Sequence, residues 1–115
     1  MNSNALNASR SSQYKILLVE DDFSNQKVIQ KTLEKEGYAV QIAENGKEAL
    51  NALQTDTYDL IIMDVKMPVM DGVEATRKIR DLDSSIKDIP IIALTAYAMQ
   101  GEQSKIMQAG MNDYI

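Results

Sequence analysis

The sequence of 115 residues contains no cysteine and no histidine. Without cysteine, the chain can form no disulfide and offers neither a thiolate nucleophile nor a sulfur ligand for a metal. Without histidine, it lacks the usual zinc ligand, the usual general base and any arrangement of the Ser-His-Asp type. Any chemistry must therefore rest on carboxylates, hydroxyls, lysines and the backbone.

Long apolar runs and an excess of positive charge are also missing. No run approaches the roughly 20 residues that a membrane-spanning helix needs, and the first thirteen residues lack the apolar core of a signal peptide. The net charge of −5 argues against nucleic acid as a direct partner, because no basic stripe is present to bind phosphates. We therefore expect a cytoplasmic protein with no membrane segment and no direct contact with nucleic acid.

The length is sufficient for one domain with one core. Apolar residues make up 44% of the chain and charged residues 25%, which is ordinary for a globular protein. Residues 1–13 are rich in Asn and Ser and have little to bury, so we predict a flexible tail or linker there. Residues 14–115 are predicted to form the domain.

Strands and helices are predicted to alternate along this domain. Five short segments have strand character: 15–19, 38–43, 59–63, 91–94 and 112–115. Four segments between them have helical periodicity: 25–36, 46–54, 72–80 and 101–109. Because the strands are almost continuously apolar and alternate with helices, we expect a parallel sheet that is covered on both faces.

Several residues mark the ends and faces of the predicted helices. Gly37 and Gly110 are placed to end the first and last helices, and Asn45 is placed to cap the second. In the first helix, Val28, Ile29 and Leu33 form one apolar stripe, which we expect to face the sheet.

Acidic residues follow two of the predicted strands where each strand ends. Asp64 follows the apolar run at 60–63, and three adjacent acids, Glu20, Asp21 and Asp22, follow the run at 16–19. Right-handed crossovers bring the carboxyl ends of parallel strands to one edge of the sheet, where ligands bind. Carboxylates crowded there repel one another, and a divalent cation relieves that repulsion. The pattern therefore predicts a hard-metal site around Asp64.

Each acid also has a simpler interpretation. Acids after a strand are common as helix caps or in solvated turns, and for residues 20–22 this interpretation stays open beside metal binding. Asp71 directly precedes Gly72 and a helical pattern, so we expect it to begin a helix rather than to bind a metal. Thr95 follows the fourth strand, which places a hydroxyl at the same edge of the sheet.

Four motifs of the sequence resemble the receiver domain of two-component response regulators. They are ILLVEDD (16–22), MDVKMPVMDG (63–72), ALTA (93–96) and GMNDYI (110–115), in the family's order and spacing. The segments at 25–28 and 74–80 look most like receivers attached to hybrid sensor histidine kinases. The resemblance implies a flavodoxin-like, doubly wound parallel sheet with five strands in the order 2-1-3-4-5.

The resemblance also implies that Asp64 accepts a phosphoryl group from a phosphohistidine on a histidine kinase or a phosphotransfer domain. Mg²⁺ would be held by Glu20, Asp21, Asp64 and the backbone carbonyl of Lys66, with Asp22 beside these ligands.

Three further residues match positions that contact the phosphoryl group or report its presence in the family. Thr95 would donate its hydroxyl to the phosphoryl group and Ala96 its backbone N–H. Tyr114 would be the aromatic side chain whose rotamer follows Thr95.

Receivers carry a lysine followed by a proline just after this tyrosine, but the printed sequence ends at Ile115. We therefore expect a C-terminally incomplete receiver, truncated at strand five with the last helix missing. Such a chain could cover the exposed face of its sheet by self-association.

Three functions are compatible with these observations. The leading hypothesis is a phosphorylation switch whose only chemistry is self-phosphorylation and slow self-dephosphorylation. The alternative is an interaction module that keeps the fold but acts without phosphorylation, which the missing lysine favours. A metal-dependent phosphohydrolase is disfavoured, because Lys66 stands where such an enzyme would carry a second acid, two residues after Asp64.

Overall fold

The computed structural model describes residues 14–65, 70–82, 85–94 and 100–114. Within these ranges, strands and helices alternate as predicted. The strands are β1 (Lys15–Val19), β2 (Ala39–Ala43), β3 (Leu60–Asp64), β4 (Ile91–Leu94) and β5 (Asp113–Tyr114). The helices are α1 (Phe23–Lys35), α2 (Gly46–Thr55), α3 (Gly72–Arg80) and α4 (Gln100–Ala109), and a short 3-10 helix (Ser85–Asp88) precedes β4.

The strands form one parallel sheet in the order β2-β1-β3-β4-β5, which confirms the predicted topology. β1 lies between β2 and β3, so the connections turn in opposite directions on its two sides. All five strands end at the same edge, which we call the carboxyl edge, and begin at the opposite amino edge. No helix in the described ranges is long and apolar enough to cross a membrane.

Alternation along the strands divides the core into two layers. Leu17 and Val19 of β1 point to one face and Ile16 and Leu18 to the other, as the two-residue period of a strand requires. The larger layer packs against α2, α3 and α4, and its buried helical residues are Ala49, Leu53, Ala75, Ile79 and Ile106. The smaller layer packs against Ile29 and Leu33 of α1. Each fully buried aliphatic side chain contributes about 1.5–3 kcal/mol.

The first helix differs from its prediction in two ways. It begins at Phe23 rather than residue 25, because the Asp22 carboxylate caps it by accepting a hydrogen bond of 2.9 Å from the backbone N–H of Asn25. Val28 was predicted to face the sheet, but its side chain is 65% exposed. Gln26 is buried in its place, on the same face as Ile29 and Leu33.

The predicted caps of three helices are confirmed. Gly37 and Gly110 follow the ends of α1 and α4 with φ of 98° and 110°, a left-handed conformation that favours glycine. The Asn45 side chain accepts a 2.9 Å hydrogen bond from the backbone N–H of Glu48 at the start of α2. Strand β3 includes Asp64 as its last residue, one position beyond its predicted end. The predicted tail at residues 1–13 lies outside the described residues.

Candidate functional site

Three carboxylates meet at the carboxyl edge of the sheet. Glu20 follows the last residue of β1, Asp21 comes next, and Asp64 ends β3. Val19 of β1 is in register with Met63 of β3, so Glu20 and Asp64 occupy corresponding positions on neighbouring strands. One carboxylate oxygen from each of the three residues lies within 4.8 Å of the others. The convergence predicted from strand order is therefore present.

Glu20 is a buried acid of this cluster. Its side chain is only 2% exposed. Burial is the largest cause that raises the pKa of Glu20 to about 7, and a backbone hydrogen bond from Asp22 opposes it. The charge of Asp64 and side-chain hydrogen bonds with Asp64 and Asp21 raise the pKa further. The ionised form of this buried carboxyl group is therefore disfavoured, and a cation bound beside the three carboxyl groups would stabilise it.

Asp22 has the capping role that the sequence left open, and it also contacts the acid cluster. Its carboxylate caps α1, as described above, while its backbone N–H donates a 3.0 Å hydrogen bond to Oε2 of Glu20. The residue thus contacts the acid cluster through its backbone and begins the helix with its side chain.

Gln26 is a residue of this site that the sequence analysis missed. Its side-chain amide is buried in α1 and donates a 2.7 Å hydrogen bond to the backbone carbonyl of Glu20. This bond ties the helix to the segment that carries Glu20 and Asp21. A signal for it was present, because Gln26 precedes Ile29 by three residues and Leu33 by seven and so shares their apolar face.

Gly72, the first residue of α3, lies against the end of β3. The Gly72 N–H donates a 2.8 Å hydrogen bond to the carbonyl of Val65. A Cβ at position 72 would collide with the carbonyl oxygen of Asp64, so only glycine fits here without moving the strand end. Asp71 accepts a 2.8 Å hydrogen bond from the backbone N–H of Glu74 and caps α3. The prediction that Asp71 begins a helix is therefore confirmed.

The structure describes little of the remaining predicted site residues. Lys66, Thr95 and Ala96 lie outside the described residues, as does the side chain of Tyr114. The backbone of Tyr114 belongs to β5, in register with Ala93. Asp64 is in register with Leu94, and the Val65 N–H donates to the Leu94 carbonyl at 3.3 Å.

Comparison with known proteins places this arrangement in a family. The family model for the response regulator receiver domain matches residues 16–115. The sensor histidine kinase GacS of Pseudomonas protegens is 45% identical over 103 residues, which cover 88% of this chain and 11% of the kinase. The chain spans between 3% and 11% of the first five histidine kinases that it matches.

Solved structures share the fold as well as the sequence. The receiver domain of the sensor histidine kinase PA1611 from Pseudomonas aeruginosa PAO1, which holds a magnesium ion in its active site cleft, matches with a TM-score of 0.82 at 46% identity. The match covers 89% of this chain and 83% of that one. The co-crystal structure of the Saccharomyces cerevisiae phosphotransfer protein Ypd1 with the receiver domain of Ssk1 contains a match with a TM-score of 0.80 at 33% identity. It covers 89% of this chain and 77% of that one. The flavodoxin-like sheet predicted from the sequence is thereby confirmed.

Proposed function

The chain belongs to the response regulator receiver family, and from this premise we propose that Asp64 is the phosphoacceptor of a two-component phosphorelay. Receiver domains are phosphorylation switches rather than classical enzymes, and they work with histidine kinases or phosphotransfer proteins. The observation that carries the proposal is the convergence of Asp64 with Glu20 and Asp21 at the carboxyl edge. The parent protein that we propose is a hybrid sensor histidine kinase, by similarity to the kinases reported above.

The acid cluster suits Mg²⁺ in its donor chemistry. Three carboxylates supply hard oxygen atoms, which Mg²⁺ prefers. A divalent cation would also offset the cost of ionising Glu20, whose pKa is raised by burial and then by the neighbouring acids. Glu20, Asp21 and Asp64 would hold the ion, with the backbone carbonyl of Lys66 as a fourth protein ligand. When bound, Mg²⁺ supplies the positive charge that offsets repulsion between the Asp64 carboxylate and the phosphoryl oxygens.

The transfer itself requires little from the protein beyond position and charge. An oxygen of the Asp64 carboxylate forms a bond to phosphorus while the bond between phosphorus and the imidazole nitrogen of the donor breaks. The electron pair of that bond returns to the donor histidine. Gly72 supports this geometry, because it lets the start of α3 pack against the end of β3 without displacing Asp64.

We place the readout of phosphorylation on the strand beside Asp64. Thr95 directly follows Leu94, the residue in register with Asp64. We propose on this basis that its hydroxyl donates to the phosphoryl group. The backbone N–H of Ala96 would donate as well. The new contacts shift the population of the surface formed by α4 and β5, with the Tyr114 side chain following Thr95.

Labelling with a small phosphodonor tests this function. The chain is incubated with acetyl phosphate and Mg²⁺, and intact-mass spectrometry follows the addition of one phosphoryl group. We expect the unchanged chain to be labelled and D64N to remain unlabelled. D71N is the matched control, because it removes the same charge seven residues away and asparagine still caps α3.

The outcomes separate the phosphorylation switch from its alternatives. Equal labelling of D64N would remove Asp64 from the mechanism. Failure of the unchanged chain to be labelled, under conditions in which the PA1611 receiver is labelled, would favour the interaction module that acts without phosphorylation.

A further inference from the structure

Arg80, the last residue of α3, donates hydrogen bonds to backbone carbonyls of two other segments near the amino edge of the sheet. Its Nε donates to the carbonyl of Gly110 at 2.8 Å, and one Nη donates to the carbonyls of Lys87 and Ile89 at 2.7 and 2.6 Å. Its other Nη donates to Oδ1 of Asn112 at 2.8 Å. One guanidinium group therefore joins α3 to the approach to β4 and to the turn between α4 and β5.

Asn112 connects this guanidinium to the start of the β4–β5 pairing. Its Oδ1 accepts a second hydrogen bond, from the backbone N–H of Ile91 at 2.8 Å. Its own N–H donates to the carbonyl of Ile91, also at 2.8 Å. The next two residues, Asp113 and Tyr114, are the two that pair with β4. The contacts of Asn112 thus set the point at which β5 joins the sheet.

The fit around Arg80 is close. Gly110 has a φ of 110°, and a Cβ there would lie 2.9 Å from Cγ of Arg80. Arg80 is half-buried, and burial lowers the pKa of its guanidinium while the charge of Asp88 raises it. A planar group with five N–H donors can meet oxygens in several directions at once, which the single ammonium group of lysine cannot do in the same geometry.

From these contacts we infer that Arg80 is a positioning residue for the phosphorylation readout, through its hold on Asn112 and on the register of β5. A slip of one residue in a strand turns every side chain to the opposite face of the sheet. The described pairing of β5 is only two residues long, so its register depends strongly on the contacts at its start. With the amino edge fixed by Arg80, a rearrangement around Asp64 is confined to the carboxyl edge, where Tyr114 follows Thr95.

This inference rests on the proposed function. Its test therefore measures the binding of a phosphoryl mimic and the response of Tyr114 as two separate quantities. Tyrosine side chains are labelled for NMR, and spectra are recorded with Mg²⁺ before and after addition of beryllofluoride, a mimic of the phosphoryl group. The variants are R80Q, R80K and R77Q. Arg77 is the matched control, since it is an exposed arginine one turn earlier in the same helix.

We expect R77Q to respond as the unchanged chain does, with one shifted Tyr114 signal. R80Q should bind beryllofluoride within about threefold of the unchanged affinity, while its Tyr114 signal splits or no longer shifts. R80K should resemble R80Q, because charge alone does not replace the fork of donors. If Arg80 only stabilised the fold, R80Q would lower the melting temperature and leave the Tyr114 response intact, which would overturn the inference.

A second pair of variants keeps the test valid if R80Q does not fold. N112D retains an oxygen that accepts from both Arg80 and Ile91, and it should respond normally. N112L has no acceptor and should lose the coupled Tyr114 response. Equal responses from N112D and N112L would contradict the inference, whereas failure of the unchanged chain to bind beryllofluoride would contradict the proposed function instead.

Discussion

The two edges of the sheet arrange their charged groups in opposite ways. At the carboxyl edge, Glu20, Asp21 and Asp64 lie close together, and burial with the effect of the neighbouring acids raises the pKa of Glu20 to about 7. At the amino edge, Lys15 pairs with Asp56. The pairing raises the pKa of Lys15 and lowers the pKa of Asp56, so the charged form of each side chain is favoured. The pairing at the amino edge favours the charged forms of both partners, whereas burial beside other acids disfavours the charged form of Glu20, a cost that a bound cation would offset.

The amino edge illustrates how completely a charge can be satisfied within the chain. The Lys15 ammonium lies against the Asp56 carboxylate and 5.1 Å from the ring centroid of Tyr58. The backbone N–H of Lys15 donates to Asp59 at 2.7 Å, and the Asp59 N–H returns a bond of 2.8 Å to the Lys15 carbonyl. Arg80 likewise meets four oxygens nearby. The acids of the carboxyl edge instead lie beside one another, as a metal site would require.

The largest effect that would sharpen this comparison is expected from E20Q. Removing one of three carboxylates should weaken Mg²⁺ binding by about tenfold or more, which corresponds to roughly 1.4 kcal/mol. The same change should raise the stability of the metal-free chain, because it removes a buried acid beside two others. Isothermal titration with Mg²⁺ and urea unfolding measure the two effects.

D22N is the control for E20Q. It removes an equal charge from the adjacent segment, but asparagine still caps α1 and the backbone bond to Glu20 is kept. Its Mg²⁺ affinity should stay within about threefold of the unchanged value. A similar loss in D22N and E20Q would show that the charge of the region matters more than its geometry.

A smaller effect is expected from pH in the absence of metal. Because the folded pKa of Glu20 lies above its ordinary value of 4.5, its protonated form stabilises the fold below pH 4.5, and that contribution is lost as pH rises through about 7. The loss should be on the order of 1–3 kcal/mol. Urea unfolding of the unchanged chain and of E20Q, at pH 5 and at pH 8, measures this contribution of Glu20 to the free energy of unfolding.

The stability advantage of E20Q should therefore be larger at the higher pH. Saturating Mg²⁺ should reverse the trend in the unchanged chain, since the ion binds the ionised carboxylate. Parallel pH profiles for the two proteins would contradict the assignment of the elevated pKa to Glu20.

The smallest effect is expected at the amino edge. D56N should lower the melting temperature by only about 1–3 °C, because the pair with Lys15 is exposed to solvent. The difference should shrink in high salt, which screens exposed pairs. Differential scanning calorimetry at two salt concentrations measures it, and a loss comparable to that of a core substitution would break the contrast between the edges.

Much of the fold followed from local patterns. Continuous apolar runs at β1, β3 and β4 identified buried parallel strands, and Gly37, Gly110, Asn45 and Asp71 marked helix ends through their own backbone or capping chemistry. The position of Asp64 at the end of a central strand was enough to predict the acid cluster. These features depend on a few neighbouring residues, so a sequence displays them directly.

The missed features depend on contacts between distant segments. Gln26 was overlooked because a polar residue on a helix is ordinarily solvated, and its bond to the Glu20 carbonyl exists only once α1 lies against the end of β1. Val28 was assigned to the apolar stripe of α1 because it is adjacent to Ile29, but only Ile29 and Leu33 of that stripe pack against the sheet. The four acceptors of Arg80 come from Lys87, Ile89, Gly110 and Asn112, which no local pattern brings together.

The length of β1 sets how the two edges communicate. Lys15 begins this strand and Glu20 follows its end, five residues later, which corresponds to a separation of roughly 16 Å. The screening length at physiological ionic strength is only about 8 Å. The exposed Lys15–Asp56 pair would therefore be largely screened from the charge of the phosphoryl group proposed at Asp64. Coupling between the two edges would then depend on packing and hydrogen bonds.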